Sequence, residues 1–232
     1  MMKYYASVSF GKDSLAMLLM LIEKGMPLDE VVFYDSGMEF QAIYNTRDRV
    51  LPILKKHGIK YTEVKSANSF LYDMLERPVT KRDGSHQCGY SWCGGVCRWE
   101  TRKKLNALKK LTKDGFDYVG IAFDELDRLE KEKRPNRLFF LVDEKITEAE
   151  ALQYCYDRGF TWEEEGVRLY DILDRVSCWC CRNKNLKELR NIYQHLPRYW
   201  KQLKDLQNKT DLPFYRRTGE TITDLEKRFK PK

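Results

Sequence analysis

The spacing of apolar positions changes rhythm repeatedly along the first half of the chain. Residues 4–9 alternate and predict a strand, while residues 14–24 are apolar on nearly every face, which predicts a buried helix. Residues 31–34 form a short β-branched run. Residues 40–57 follow helical spacing as far as Gly58, with Pro52 expected to kink or break the helix. Residues 59–64 predict a third strand, residues 98–111 a helix with Leu105, Leu108 and Leu111 between basic residues, and residues 117–123 a fourth strand. Strands that alternate with helices in this way predict an α/β fold, a doubly wound, mostly parallel, Rossmann-like sheet covered on both faces. Right-handed crossovers then collect the strand C-termini, and the ligand crevice, along one edge.

The second half reads differently. Residues 139–142 suggest one more strand, and Thr147 with Glu150 three positions on forms a capping box that opens a helix. Residues 186–206 are amphipathic, with an interruption near Pro197. The pattern therefore predicts two parts: a nucleotide-binding α/β domain over residues 1–130, and a helical, Cys-containing region with a basic tail over residues 131–232. The second part is expected to act as a helical cap on the first. From residue 198 onward there are ten Lys/Arg and five Asp/Glu, so this tail carries much of the positive excess.

Composition narrows the classes further. At 232 residues, with 42% apolar and 33% charged positions, the chain can build a real core and is neither disordered nor fibrous. A net charge of +7 permits a nucleic-acid partner without demanding one. The longest apolar run, residues 15–22, is far short of the roughly 20 residues a membrane helix needs, so no membrane partner is expected. The first residues alternate and do not read as a signal peptide. Six of the seven cysteines fall in two short windows, Cys88, Cys93 and Cys97, then Cys178, Cys180 and Cys181. Such grouping favours a metal or redox site in a reducing cytoplasm over a disulfide framework.

Two constellations carry candidate chemistry. Ser9-Phe10-Gly11-Lys12-Asp13-Ser14 lies between a strand and a buried helix. A phosphate needs backbone N–H groups it can approach, a helix N-terminus behind them and a nearby cation, and Gly11, Lys12 and the two serines supply these. Cys93-x-x-x-Cys97 and Cys178-x-x-Cys181 form two pairs suited to four thiolate ligands, with Cys88 and Cys180 as alternates. Spacing leaves Zn2+ and a 4Fe-4S cluster both open. Trp92, Trp99 and Trp179 would provide a dry shell, and Cys155 reads as a small buried apolar residue.

Ser-Phe-Gly-Lys-Asp-Ser resembles the PP-loop of the adenine-nucleotide alpha hydrolases, in particular the phosphoadenosine-phosphosulfate reductase-like branch. Tyr34-Asp35-Ser36-Gly37-Met38-Glu39-Phe40 is similar to that branch's Asp-Thr-Gly-x-Glu segment. Gly120-Ile121-Ala122-Phe123-Asp124-Glu125, followed by Arg128, resembles its Gly-x-Arg-x-x-Glu-Ser-x-x-Arg segment. Leu169-Tyr170-Asp171, Arg175 and Ser177-Cys178-Trp179-Cys180-Cys181 resemble a Cys-rich segment of some members. In two places the chain departs: Phe10 replaces the second Gly of the broader PP-loop, and Ala122 stands where the family usually has Arg.

The resemblance implies an ATP-type nucleotide with Mg2+, cleaved between its α and β phosphates, or a related α-phosphate chemistry. It implies nucleotide contacts at Ser9, Phe10, Gly11, Lys12, Asp13, Ser14, Asp35, Ser36, Glu39, Gly120, Asp124 and Glu125, with Lys12, Asp13 and Asp35 catalytic. Asp35 and Glu39 would hold Mg2+ or the ribose hydroxyls, and Asp124 and Glu125 would add metal or substrate contacts. The function expected is adenylation of a substrate for sulfur transfer, the acceptor being nucleic acid such as tRNA or the DNA backbone. A cysteine desulfurase is the expected sulfur donor, and a homodimer the expected assembly. Two alternatives stand beside it: a sulfonucleotide reductase, although no Cys follows Cys181 to serve as its tail nucleophile, and a non-catalytic nucleotide-binding component of a larger complex.

Overall fold

The computed structural model describes residues 2–92, 97, 101–130, 134–215 and 217–230. The chain begins with β1 (Lys3–Ser7), α1 (Lys12–Glu23), β2 (Glu30–Asp35), α2 (Gln41–Lys56) and β3 (Lys60–Lys65). There follow α3 (Phe70–Leu75), β4 (Pro78–Thr80), β5 (His86–Cys88), α4 (Thr101–Leu111), β6 (Gly115–Val119) and α5 (Leu126–Glu130). Next come β7 (Arg137–Leu138), α6 (Phe140–Asp143), α7 (Glu148–Asp157), β8 (Glu163–Glu164) and β9 (Val167–Arg168). The last elements are α8 (Leu169–Ile172), α9 (Leu186–His195), α10 (Pro197–Gln207) and α11 (Ile222–Phe229).

Five strands make a parallel sheet in the order β3-β2-β1-β6-β7. The chain steps outward from β1 to β3 and then returns to the other side of β1 as β6. This reversal creates a topological switch point between β1 and β6, the place where open α/β sheets bind ligands. Every position of β2 is buried, as expected for a central strand covered on both faces. In α1, Leu15, Ala16, Met17, Leu18 and Leu21 are fully buried, in line with its nearly all-round apolar pattern.

The chain divides into two compact units, and not by a single cut at residue 130. One comprises Met1–Asp35, Gln41–Lys65 and Lys104–Trp162; the other comprises Ser36–Phe40, Ser66–Lys103 and Glu163–Lys232. Long-range bonds knit the second unit's three segments together. Trp179 N–H donates to the Met38 carbonyl at 3.0 Å. The Arg182 guanidinium donates to the carbonyls of Phe214 (2.5 Å), Pro213 (2.8 Å) and Trp92 (3.2 Å). Its helices share an aromatic core, with Trp200 against Tyr193 and Phe229.

Other expectations change in detail. The fourth strand begins and ends earlier than residues 117–123, at Gly115 and Val119. Residues 139–142 do not form a strand: only Arg137 and Leu138 pair with β6, and α6 follows at once, packing against α1. A short apolar run serves a buried helical turn as well as a strand, so its period does not decide. Pro52 lies inside α2 without breaking it. Pro52 and Asp48, whose carbonyl loses the i→i−4 partner, are both exposed, so water can replace the bond. Of the three leucines along α4, Leu108 is buried in a cluster with Tyr5, Val32 and Val64, whereas Leu105 and Leu111 are exposed. The proposed helix start at Arg98, and Trp99, lie outside the described residues. Among the described residues, no helix is long and apolar enough to cross a membrane.

Candidate functional site

The turn from β1 into α1 is held by its own hydroxyls. Ser9 N–H donates to Ser14 Oγ at 3.1 Å, Ser14 Oγ donates to the Gly11 carbonyl at 3.1 Å, and the two serine oxygens are 3.1 Å apart. Gly11 is the N-cap of α1 and offers no side-chain acceptor, so the first-turn N–H groups have no capping side chain from it. That is the electrostatic setting a phosphate requires. Gly120, beyond β6, lets the strand end approach this helix start. A Cβ there would lie 2.7 Å from Ser14 Cα and 2.8 Å from Ser14 N.

Phe10 takes a left-handed backbone conformation, φ +58°, where glycine is the easier residue. Its fully buried ring packs edge-on against Phe33, with centroids 5.1 Å apart. Its carbonyl accepts from the indole N–H of buried Trp162 at 2.8 Å. The Cys155 thiol lies 3.5 Å from the Lys12 carbonyl, and burial pushes its pKa up to about 12, so it remains a neutral donor. Cys155 thus has the buried role expected of it; Trp162 carried no local signal that linked it to the loop.

Charge is concentrated beside the turn. Lys12 Nζ is 2.8 Å from Asp13 and 2.9 Å from Glu148, in the first turn of α7. Asp13 is pushed up to about 6, chiefly by burial; Lys12 opposes the shift, and Glu148 and Glu125 add to it. Carboxylate oxygens of Asp13, Glu125 and Glu148 all lie within 4.8 Å of one another. Three hard oxygen donors at this spacing fit Mg2+. Glu125 also pairs with Arg128 at 2.6 Å and accepts from the Ala122 N–H at 3.3 Å. Asp124 accepts from the Glu148 N–H at 2.9 Å, which places it at the start of α7 and outside the carboxylate trio. The sequence reading missed Glu148, although the capping box beside it, Thr147 with Glu150, forms as expected.

The residues at and after the end of β2 have protein partners of their own. Buried Asp35 accepts from the Tyr44 hydroxyl at 2.7 Å and pairs with Lys65 at 3.1 Å, so both carboxylate oxygens are engaged. Ser36 and Glu39 belong to the second unit, where they meet a cysteine. Ser36 Oγ donates to Glu39 at 3.1 Å, and Cys178 Sγ lies 3.6 Å from Ser36 Oγ and 3.7 Å from Glu39.

Cys178 and Cys181 both act on the buried ammonium of Lys184. Burial lowers the Lys184 pKa, while Glu188, Cys181 and Cys178 oppose that shift. Cys97 is half-buried, Cys180 buried and Cys88 exposed; Cys93 lies outside the described residues. Thiolates on one tetrahedral zinc, at bonds of about 2.3 Å, sit roughly 4 Å apart. Among the described residues no three cysteines meet that spacing. Cys178 and Cys181 beside one cation suit a thiolate-bound centre, and a multi-iron cluster spreads its ligands more widely than a single zinc ion does.

Two solved structures are similar to parts of this one. The U34-tRNA thiolase NcsA of Methanococcus maripaludis, solved with its 4Fe-4S cluster, is 18% identical with a TM-score of 0.48, covering 89% of this chain and 72% of that chain. The FMN adenylyltransferase of Candida glabrata, in complex with FMN and the ATP analogue AMPCPP, is 13% identical with a TM-score of 0.33, covering 60% and 43%. Neither likeness is close enough to speak for the chemistry. An uncharacterized protein of Methanocaldococcus jannaschii is 26% identical over 211 residues, 83% of this chain and 38% of that protein. The chain thus spans about two fifths of that relative's length. A family model, the phosphoadenosine phosphosulfate reductase domain, matches residues 3–119, half of the chain and the whole span from β1 to the end of β6. With the phosphate-type turn at its switch point, the chain belongs to the phosphoadenosine phosphosulfate reductase domain family.

Proposed function

We propose that this chain binds an ATP-type nucleotide on the β1–α1 turn and cleaves it between the α and β phosphates to activate an acceptor for sulfur transfer. The observation that carries the reading is the buried Lys12 ammonium at the N-terminus of α1, next to three gathered carboxylates. An acceptor oxygen attacks the α-phosphorus and pyrophosphate leaves with the electrons of the broken P–O bond. A sulfur nucleophile then displaces AMP from the adenylated acceptor. Lys12 and the α1 N–H groups bind the phosphates and stabilise the charge that builds on the leaving pyrophosphate. Asp13, Glu125 and Glu148 would hold Mg2+, which offsets phosphate charge when bound. Cys178 and Cys181, with Cys97 and Cys93, would hold the iron–sulfur cluster or Zn2+. We assign a nucleic-acid acceptor, in keeping with the net charge of +7.

The test is to incubate the protein with ATP and Mg2+ and resolve the products. AMP and pyrophosphate are expected, and Lys12→Ala should abolish them; ADP and phosphate would overturn the reading. The family match favours one second reading, a sulfonucleotide reductase. Its nucleophile would have to be Cys180 or Cys181, and release of sulfite from phosphoadenosine phosphosulfate in the presence of a dithiol would select it.

A further inference from the structure

Residues 147–162, beyond the matched domain, touch the phosphate turn at three points. Cys155 reaches the Lys12 carbonyl, Trp162 reaches the Phe10 carbonyl, and Glu148 reaches Lys12 Nζ. The first two side chains are fully buried and fix the backbone of the turn. Glu148 is different, because its side chain is 45% exposed while that of Lys12 is only 9% exposed. The Glu148 backbone is anchored by Asp124 and by the adjacent capping box, so its carboxylate can leave Lys12 by side-chain rotation without moving α7.

We infer that Glu148 is a positioning residue that parks the Lys12 ammonium in competition with the nucleotide phosphates. The inference rests on the nucleotide reading above. A phosphate that enters the turn has to take Lys12 from Glu148, and it meets the repulsion of that carboxylate until a cation neutralises it. Affinity for metal-free nucleotide is therefore held low by a side chain from outside the family domain. Neutralising Glu148 takes away one of the two carboxylates on the lysine and leaves Asp13, its neighbour in the turn.

Isothermal titration of ATP in EDTA, and again in Mg2+, tests this with four proteins: parent, Glu148→Gln, Lys12→Met and the double variant. Glu148→Gln should bind metal-free ATP about tenfold more tightly than the parent, the scale of one charge-assisted contact. The gain should vanish in the Lys12→Met background, because the two side chains act as a pair. Equal or weaker metal-free binding by Glu148→Gln overturns the inference, as does a gain that survives Lys12→Met. A loss confined to Mg2+ also overturns it and leaves Glu148 an ordinary cation ligand. If neither parent nor Glu148→Gln binds ATP under either condition, the nucleotide reading itself falls and takes this inference with it. Glu150→Ala, which removes only the capping-box acceptor, should lower stability without changing ATP affinity, and so separates a folding effect from a positioning one.

Discussion

At the scale of single residues, Phe10 shows how one side chain is made to do what glycine does more easily. A left-handed backbone costs a non-glycine residue about 1–2 kcal/mol. Here the ring is buried against Phe33, and the carbonyl is held by the Trp162 indole. Burying a phenylalanine contributes about 1.5–3 kcal/mol, so packing outweighs the strain and the turn stays closed without a second glycine. Trp162→Phe keeps most of the volume and removes the N–H donor, leaving a buried carbonyl without that partner. It should cost about 1–3 kcal/mol in urea denaturation and weaken ATP binding as the turn loosens. Unchanged stability and affinity would mean that the indole only fills space.

Elements obey the same logic over longer stretches. The meeting of β6 with the start of α1 depends on Gly120, which leaves room for the Ser14 backbone. Gly120→Ala would place a Cβ within 3 Å of that backbone, where no flexible side chain can move aside. Overpacking of this kind typically costs about 1–3 kcal/mol, and here it should also displace the first-turn N–H groups of α1. Thermal denaturation and ATP titration read the two effects, and a variant within about 0.5 kcal/mol of the parent with intact ATP binding would refute the close-approach argument. Prolines act on elements according to their surroundings. Pro197 starts α10 at its first position, where its missing N–H is harmless, whereas Pro52 is tolerated on the exposed face of α2.

Across the whole molecule, the chain crosses more than once between two units, so neither unit is a continuous segment. The second unit depends on fasteners that join remote stretches, and Arg182 bonds to carbonyls on two of them. Methionine in its place would keep the apolar stem and strip the donors from three carbonyls. Arg182→Met should therefore destabilise the second unit by about 3 kcal/mol or more, since each buried carbonyl left without a partner costs about 1–3 kcal/mol. Limited proteolysis should then cut first within residues 66–103 or 163–232 while the sheet unit persists. A cleavage pattern and unfolding midpoint like the parent's would show that Arg182 fastens nothing.

Strands β1, β2, β3 and β6 and helices α1, α2, α4 and α7 were legible in the chain itself, because hydrophobic period and capping chemistry act between near neighbours, whereas β7 and α6 were not. The capping box at Thr147 and the break at Pro197 are of this local kind, and so is the position of the Ser9–Ser14 turn between a strand and a buried helix. The partners of that turn were not legible. Trp162 lies 152 positions from Phe10, and no spacing rule links them; the crossover that returns β6 beside β1 brings α7 and Trp162 onto α1. For the same reason the partners of Asp35 and Glu39 were not legible either. Asp35 is tied to Tyr44 and Lys65, whereas Glu39 meets Cys178, 139 positions away. Local sequence decides what each segment becomes, because it sets backbone preference and the apolar face. Which carboxylate meets which cation is decided only by the order in which the strands are laid down, since a side chain reaches a few ångströms and topology chooses its neighbours.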